Sequence, residues 1–260
     1  MSSPEKPTAE AVGQVTPKWL KTVDRLSTRH ADAFGDFVTL AACVCACGAR
    51  EAEYLRVIRR YDRPEQAALS EAFADVLALK LADPFLDVFG AAYMEQRSNR
   101  AKQHMGEFYT PDSIGALMAR LTMRLPEPGR TLTLAEPACG SGLLILEAAR
   151  ALVDLGGCPL HLQVQATDLS FTAVDMTLVN LGLAGIPALV RRGNSITNEV
   201  FATYETPAWR FAQPYSGQPG EARLRPRDVL TMLHATVPPP APSAPVPVTP
   251  PAALHDAAAV

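Results

Sequence analysis

The residues able to do chemistry in this sequence cluster around a turn that carries two glycines and around two later polar positions. In Thr131–Gly142, TLTLAEPACGSG, a β-branched and leucine-rich stretch runs into a turn holding Gly140 and Gly142. Glycine has no Cβ, so the backbone there can turn sharply and let a ligand approach the amides of a following helix. A dinucleotide fingerprint would need a third glycine where Ile145 stands, which disfavours a nicotinamide cofactor. Glu136, just ahead of the turn, repels phosphate and suits a cationic amine. S-adenosylmethionine is such a ligand, with an ammonium, a sulfonium and no phosphate.

The elements that must position these residues follow from periodicity. Thr131–Leu134 predicts a short strand ending near Glu136, and Leu143–Leu152 predicts the helix after the turn. His161–Thr167 predicts a second strand closed by Asp168, where a carboxylate can accept hydrogen bonds from ribose hydroxyls. Phe171–Leu183 predicts a helix and Ala188–Arg192 a third strand, followed by Gly193-Asn194-Ser195. In an open α/β sheet such strand ends share one crevice, so Glu136, Asp168 and Asn194 are expected to line a single pocket. Each signal alone has an ordinary structural explanation: a glycine turn, a helix cap, a Gly-Asn turn. Their ordered combination selects the cofactor reading.

Gly106-Glu107-Phe108-Tyr109-Thr110-Pro111, then Glu136-Pro137-Ala138-Cys139-Gly140-Ser141-Gly142, then Asp168 and Gly193-Asn194-Ser195, together resemble an adenine-N6 DNA methyltransferase. The likeness is to the modification subunit of type I restriction systems and spans about Asp87–Ser195. It implies that Phe108, Tyr109, Thr110 and Pro111 sit at the methionine end of S-adenosylmethionine, with Thr110 donating to its carboxylate. It further implies that Glu136 faces the amino group, that Pro137, Ala138, Cys139, Gly140, Ser141 and Gly142 form the binding loop, that Asp168 holds the ribose, and that Asn194 meets the adenine through its amide oxygen. Ordinary aromatic packing is the competing explanation for Phe108-Tyr109. An aspartate is common at the position of Asn194.

The same resemblance calls for an Asn/Asp-Pro-Pro-Tyr/Phe motif after the fourth strand, whose acceptors hold the amine of a flipped-out adenine. Methyl transfer is mostly positioning, so those acceptors matter. The motif is absent from the 260 residues. The nearest stretch is Ala212-Gln213-Pro214-Tyr215, which makes Gln213, Pro214 and Tyr215 weak catalytic candidates beside the alternative of a plain surface turn.

The expected fold class is α/β, an incomplete Rossmann-like methyltransferase sheet with an N-terminal helical domain and a disordered Pro-rich tail. Residues 1–16 read as a flexible N-terminus without the layout of a signal peptide, 17–104 as a helical domain, 105–215 as the S-adenosylmethionine-binding domain and 216–260 as an irregular tail. Eight of the 23 prolines fall between Val237 and Pro251, which is what marks the tail. Helices are expected at Pro17–Thr28, Ala31–Tyr61, Glu65–Ala82 and Phe85–Gln96. Beyond Arg192 no long alternation follows, so the sheet is expected to leave its first strand unpaired along one edge; either Val200–Trp209 covers it, or a second chain completes the sheet, or the chain is a marginal fragment.

Composition bounds the partners. Net charge is −3, so no overall basic field advertises nucleic acid. Arg97, Arg100 and Lys102 abut the expected cofactor mouth, and Arg191-Arg192 and Arg223, Arg225 and Arg227 are further basic groups, each alone explicable as solvated surface. Cys43, Cys45 and Cys47 lie two apart, and on a helix neighbouring pairs diverge by about 200°, which argues for structural thiols rather than a metal site. Five cysteines without an export signal suit a reducing cytoplasm, and no stretch suits a membrane span.

Two readings stand. One is an adenine-N6 DNA methyltransferase of a restriction-modification-like system that acts on DNA with a partner such as a specificity or modification subunit, or is weakly active alone through a degenerate turn near Gln213–Tyr215. The other is a noncatalytic S-adenosylmethionine- or DNA-binding regulatory or antirestriction module derived from that family.

Overall fold

The computed structural model describes residues 16–100, 110 and 112–211, without the side chains of residues 97–100, 112 and 211. The expected flexible N-terminus up to residue 15, the Pro-rich tail and the boundary near residue 104 lie outside the described residues.

Helices α1 (Lys18–Leu26), α2 (Ala33–Cys45), α3 (Glu51–Ile58), α4 (Arg63–Ala82), α5 (Gly90–Arg100) and α6 (Asp112–Thr122) precede the sheet. Then follow β1 (Leu132–Glu136), α7 (Leu143–Asp154), β2 (Leu162–Asp168), α8 (Phe171–Leu183), β3 (Ala188–Asn194), β4 (Glu199–Glu205) and α9 (Pro207–Phe211). The sheet order is β1-β2-β3-β4, with β1, β2 and β3 parallel and β4 antiparallel to β3. This is the α/β, Rossmann-like arrangement that the alternation of strands and helices called for.

Several boundaries depart from the sequence expectation, each for a local reason. The single helix expected over Ala31–Tyr61 is two helices, because Cys47 and Gly48 after α2 adopt left-handed φ values of 51° and 86°. Cys47 therefore lies past the helix that carries Cys43 and Cys45. The helix expected from Phe85 starts at Gly90, because the Asp87 carboxylate accepts from the amides of Phe89 and Gly90 and holds the preceding residues in a turn. β3 runs two residues beyond Arg192, through Gly193 and Asn194.

β4 occupies the stretch that showed no alternation. Most of its residues are exposed, Val200 and Phe201 by about half, so there was no buried face to leave a period in the sequence. It pairs with β3 rather than covering β1, so Val200–Trp209 does not protect the first strand. Among the described residues β1 has β2 as its one strand neighbour.

Helices α7 and α8 cover one face of the sheet, where Leu162, Val164, Ala166, Ala188 and Val190 are fully buried. On the other face Thr133, Ala135, Gln163 and Gln165 are exposed, which is unusual for parallel strands, normally covered on both faces. α2 packs along α8, α1 along α4, and α6 along α7. The apolar core runs without a break from Trp19, stacked on Phe37 with ring centroids 5.6 Å apart, to Val190. No helix among the described residues is long and apolar enough to cross a membrane.

Two buried charges tie the helices to the sheet layer. Arg50, ahead of α3, donates through both Nη atoms to Asp175 on α8, and Thr39 Oγ1 donates to the same carboxylate at 2.8 Å. Arg50 also lies 4.6 Å above the Tyr204 ring of β4. Burial pushes the Asp175 carboxyl up, and the bonds from Arg50 and Thr39 pull it back towards ionisation. Removing one partner leaves the other charge buried alone. Arg50→Ala is expected to lower the unfolding free energy by about 3–5 kcal/mol in urea denaturation, more than the paired apolar replacement of Arg50 and Asp175 together. A loss below about 1 kcal/mol, the scale of an exposed pair, would contradict this.

Lys80 is 3% exposed, and its Nζ donates to the carbonyls of Pro84 and Leu86 at 2.9 and 2.8 Å. Burial lowers its pKa from 10.5 to about 7, against the opposing pull of Asp87 and Asp83 and with a smaller push from Arg150. Between those two values the unfolded chain binds a proton that the folded chain does not, so stability from this group rises with pH. Denaturation curves should show wild-type stability gaining on that of Lys80→Met from pH 7 to about 10. A constant difference would show that Lys80 keeps an ordinary pKa.

Candidate functional site

The carboxyl ends of β1, β2 and β3 open onto a cavity of 410 Å³, within the small-ligand range of about 300–1,000 Å³. Pro137–Ser141 enter from the loop after β1, Asp168–Ser170 from the end of β2 and Gly193–Ile196 from the end of β3. Leu143, Leu144 and Ala173 supply the helix side of the wall, and Thr110 closes it. Of the residues singled out from sequence, Thr110, Pro137, Ala138, Cys139, Gly140, Ser141, Asp168 and Asn194 thus share one cavity. Glu136 and Gly142 stand beside it without lining it. Phe108, Tyr109 and Pro111, and the weak catalytic candidates Gln213, Pro214 and Tyr215, lie outside the described residues.

The loop after β1 is held by its neighbours. Gly140 and Gly142 have φ values of 55° and 90°, in the left-handed region where side chains are strained. A Cβ at Gly142 would also stand 3.3 Å from Thr177 Oγ1. The Asp168 carboxylate accepts from Gly140 N and from Ser170 N, both at 2.9 Å, and so joins the first loop to the second. Thr177 Oγ1 donates to the Gly140 carbonyl at 2.9 Å, and Cys139 N donates to the Thr167 carbonyl at 3.0 Å. Gly142 caps α7, and its carbonyl accepts from Leu146 N.

Glu136 is half-buried, and its Oε1 accepts from Ala138 N at 3.3 Å. Burial raises its carboxyl above the usual range, with Asp168 adding to the rise. A cation brought to this side of the loop relieves both effects. Burial also pushes the Cys139 thiol up to about 12, so it is no thiolate at neutral pH.

Asn194 closes β3 and shapes the hairpin that follows. Its Oδ1 accepts from Ile196 N at 3.0 Å and Thr197 N at 3.3 Å. The sequence reading gave that oxygen to a ligand amine; both of its lone pairs are engaged in the turn, so the group Asn194 offers a ligand is the Nδ2 donor. Leu169 and Ile196, 62% and 94% exposed, add apolar surface to the cavity lining. Among the described residues the cavity lining contains no Lys or Arg. A carboxylate in the wall with a second beside it, apolar edges and no basic group fit a cationic nucleoside such as S-adenosylmethionine and not a pyrophosphate.

Three residues that position the loop escaped the sequence reading. Asp87 accepts from Ser141 Oγ and, at 2.9 Å, from Asn180 Nδ2, and Asn180 Nδ2 also donates to the Ser141 carbonyl at 2.9 Å. Thr177 is the third. A signal existed for two of them: α8 reads FTAVDMTLVNLGL, in which Asp175, Thr177 and Asn180 are polar residues within the long apolar run from Ala173 to Leu183. Of the basic groups, Arg191 is hydrogen-bonded to Gln165, and Arg192 stacks 4.0 Å from the Phe171 ring centroid and 5.3 Å from that of Phe201.

No curated protein matches the chain. Among solved structures it is similar to a putative class I S-adenosylmethionine-dependent methyltransferase of Listeria monocytogenes, at 14% identity over 66% of this chain and 50% of that one, with a TM-score of 0.38. It is also similar to the methyltransferase subunit of a type I restriction-modification system of Streptococcus thermophilus, at 20% identity over 64% of this chain and 40% of that one, with a TM-score of 0.33. The chain thus spans half or less of the length of these two structures. The sequence profile described as N-6 DNA Methylase matches residues 85–219, just over half of the chain, and takes in every part of the cavity wall. The chain belongs to the N-6 DNA methylase family.

Proposed function

We propose that this chain holds S-adenosylmethionine in the cavity at the ends of β1, β2 and β3 and serves methyl transfer to the N6 amine of adenine in DNA. The observation that carries this reading is the meeting of Thr110, the Pro137–Ser141 loop, Asp168 and Asn194 around one cavity whose described lining holds no basic side chain. When bound, S-adenosylmethionine supplies an electrophilic methyl group on its sulfonium. The Gly140 and Ser141 backbone and Thr110 hold the methionine end, with Glu136 as counter-charge for its ammonium. Asp168 takes the ribose hydroxyls on the lone pairs left by Gly140 and Ser170. Asn194 presents Nδ2 to the adenine edge, between the apolar surfaces of Leu169 and Ile196.

No Asn/Asp-Pro-Pro-aromatic sequence occurs within residues 1–260, and this reading assigns the acceptors for the target amine to residues outside them, for example on another restriction-modification subunit. The same absence favours a second reading, a noncatalytic regulatory module that keeps the cofactor site. We further propose a helical domain over 17–104 and a methyltransferase-like domain over 105–215. A cytoplasmic setting is part of the same proposal, in keeping with five cysteines that form no disulfide with one another.

Calorimetry is expected to give S-adenosylmethionine binding that weakens by about 1–3 kcal/mol in Asp168→Ala; unaltered affinity in that variant would remove the pocket assignment. Affinity should also fall on acidification at a pH above the ordinary carboxylate range, as the raised Glu136 takes up its proton. A pH-independent affinity would remove Glu136 from the site. Transfer of labelled methyl groups to DNA separates the two functions: activity that appears on adding a partner subunit supports the enzyme, and bound cofactor without transfer under any pairing supports the module.

A further inference from the structure

We infer that Asp87 is a positioning residue for the cofactor, locking the glycine loop in its ligand-binding shape from the helical side of the molecule. The inference rests on the S-adenosylmethionine reading of the cavity. Asp87 lies 54 residues before Ser141, yet its Oδ2 accepts from Ser141 Oγ while its Oδ1 accepts from Asn180 Nδ2. The carboxylate is itself aimed by the amides of Phe89 and Gly90 at 3.1 and 3.0 Å. The approach is so close that a Cβ on Gly90 would fall 2.3 Å from Asp87 Oδ2 and 2.9 Å from Ser141 Oγ. Lys80 braces the strand of chain just before it through the Pro84 and Leu86 carbonyls.

The reason for such a lock lies in the residues on either side of Ser141. Gly140 and Gly142 can leave their left-handed conformations at little cost, so the intervening peptides could rotate. Ser141, 1% exposed, is the one side chain in that stretch, and it points away from ligand into the bonds with Asp87. Asn180 holds the Ser141 carbonyl, and it takes its own bearing from Asp87. Side chain and carbonyl of Ser141 are thus both referred to one carboxylate. Without it the competent loop becomes a fraction of several conformers, and ligand affinity falls by that fraction.

The test uses the full chain and S-adenosylmethionine in a double-mutant cycle. Asp87→Asn and Ser141→Ala are each expected to weaken binding at least about tenfold, the scale of one charge-assisted hydrogen bond. Ser141→Ala should add less than about twofold in the Asp87→Asn background, because both remove the same lock. A merely structural loss of stability would multiply instead, and that result overturns the proposal, as does wild-type affinity in either single variant. In ligand-free protein, the amides of Gly140–Gly142 should exchange with solvent at least about tenfold faster in Asp87→Asn while those within α7 keep their rates. Unchanged exchange in the loop also overturns it. If wild type fails to bind S-adenosylmethionine, the cofactor reading falls, and the exchange measurement still decides whether Asp87 holds the loop. Should Asp87→Asn not fold, Ser141→Ala breaks the same contact from the loop side and is read in both measurements.

Discussion

A loop that offers its backbone to a ligand cannot use its own side chains there to fix its shape, and most of what surrounds the cavity answers that constraint. Between β1 and α7 the chain carries Ala138, Gly140 and Gly142 with little to grip, and its buried Cys139 and Ser141 are themselves held by Thr177 and Asp87. The fixing groups come from elsewhere: Asp168 from β2, Thr177 and Asn180 from α8, Asp87 from the turn before α5. Each is a side-chain oxygen or amide bonded to the loop's main chain or to Ser141. α8 therefore has two duties on one helix. It fills the core with Val174, Leu178 and Leu181, and it sends three polar side chains out of that core to fixed addresses.

The helices that precede the sheet belong to the same mechanical unit as the site. The core is continuous from Trp19 to Val190, and Arg50 joins α3 to α8 and to the Tyr204 ring in β4. Burying a guanidinium and a carboxylate is tolerable here because Glu53 and Thr39 satisfy what the pair leaves over. The price is sensitivity: loss of one member exposes the charge of the other to a medium that cannot solvate it.

What sequence made legible was whatever local chemistry dictates. The three parallel strands, the helix Phe171–Leu183 and the glycine turn were readable because buried parallel strands and core helices have a period and turns have a composition. The antiparallel β4 was not, since an exposed edge strand with Val200 and Phe201 facing solvent keeps no period. The break between α2 and α3 needed a left-handed Cys47, a conformation that no cysteine announces. Within the site, the cavity wall was legible as a set of strand ends. The partners were not: Asp87 reaches Ser141 across 54 residues, and Asn194 spends its oxygen on the hairpin, both facts of tertiary geometry.

That last detail bears on how the proposed adenosyl contact would be made. With Oδ1 engaged by Ile196 N and Thr197 N, Asn194 meets a purine edge as a hydrogen donor alone. Adenine presents unprotonated ring nitrogens that accept such a hydrogen. In the proposed cofactor reading the hairpin thereby sets a polarity for the contact: the turn that closes β3 leaves Asn194 a donor towards the acceptor nitrogens of an adenosyl group.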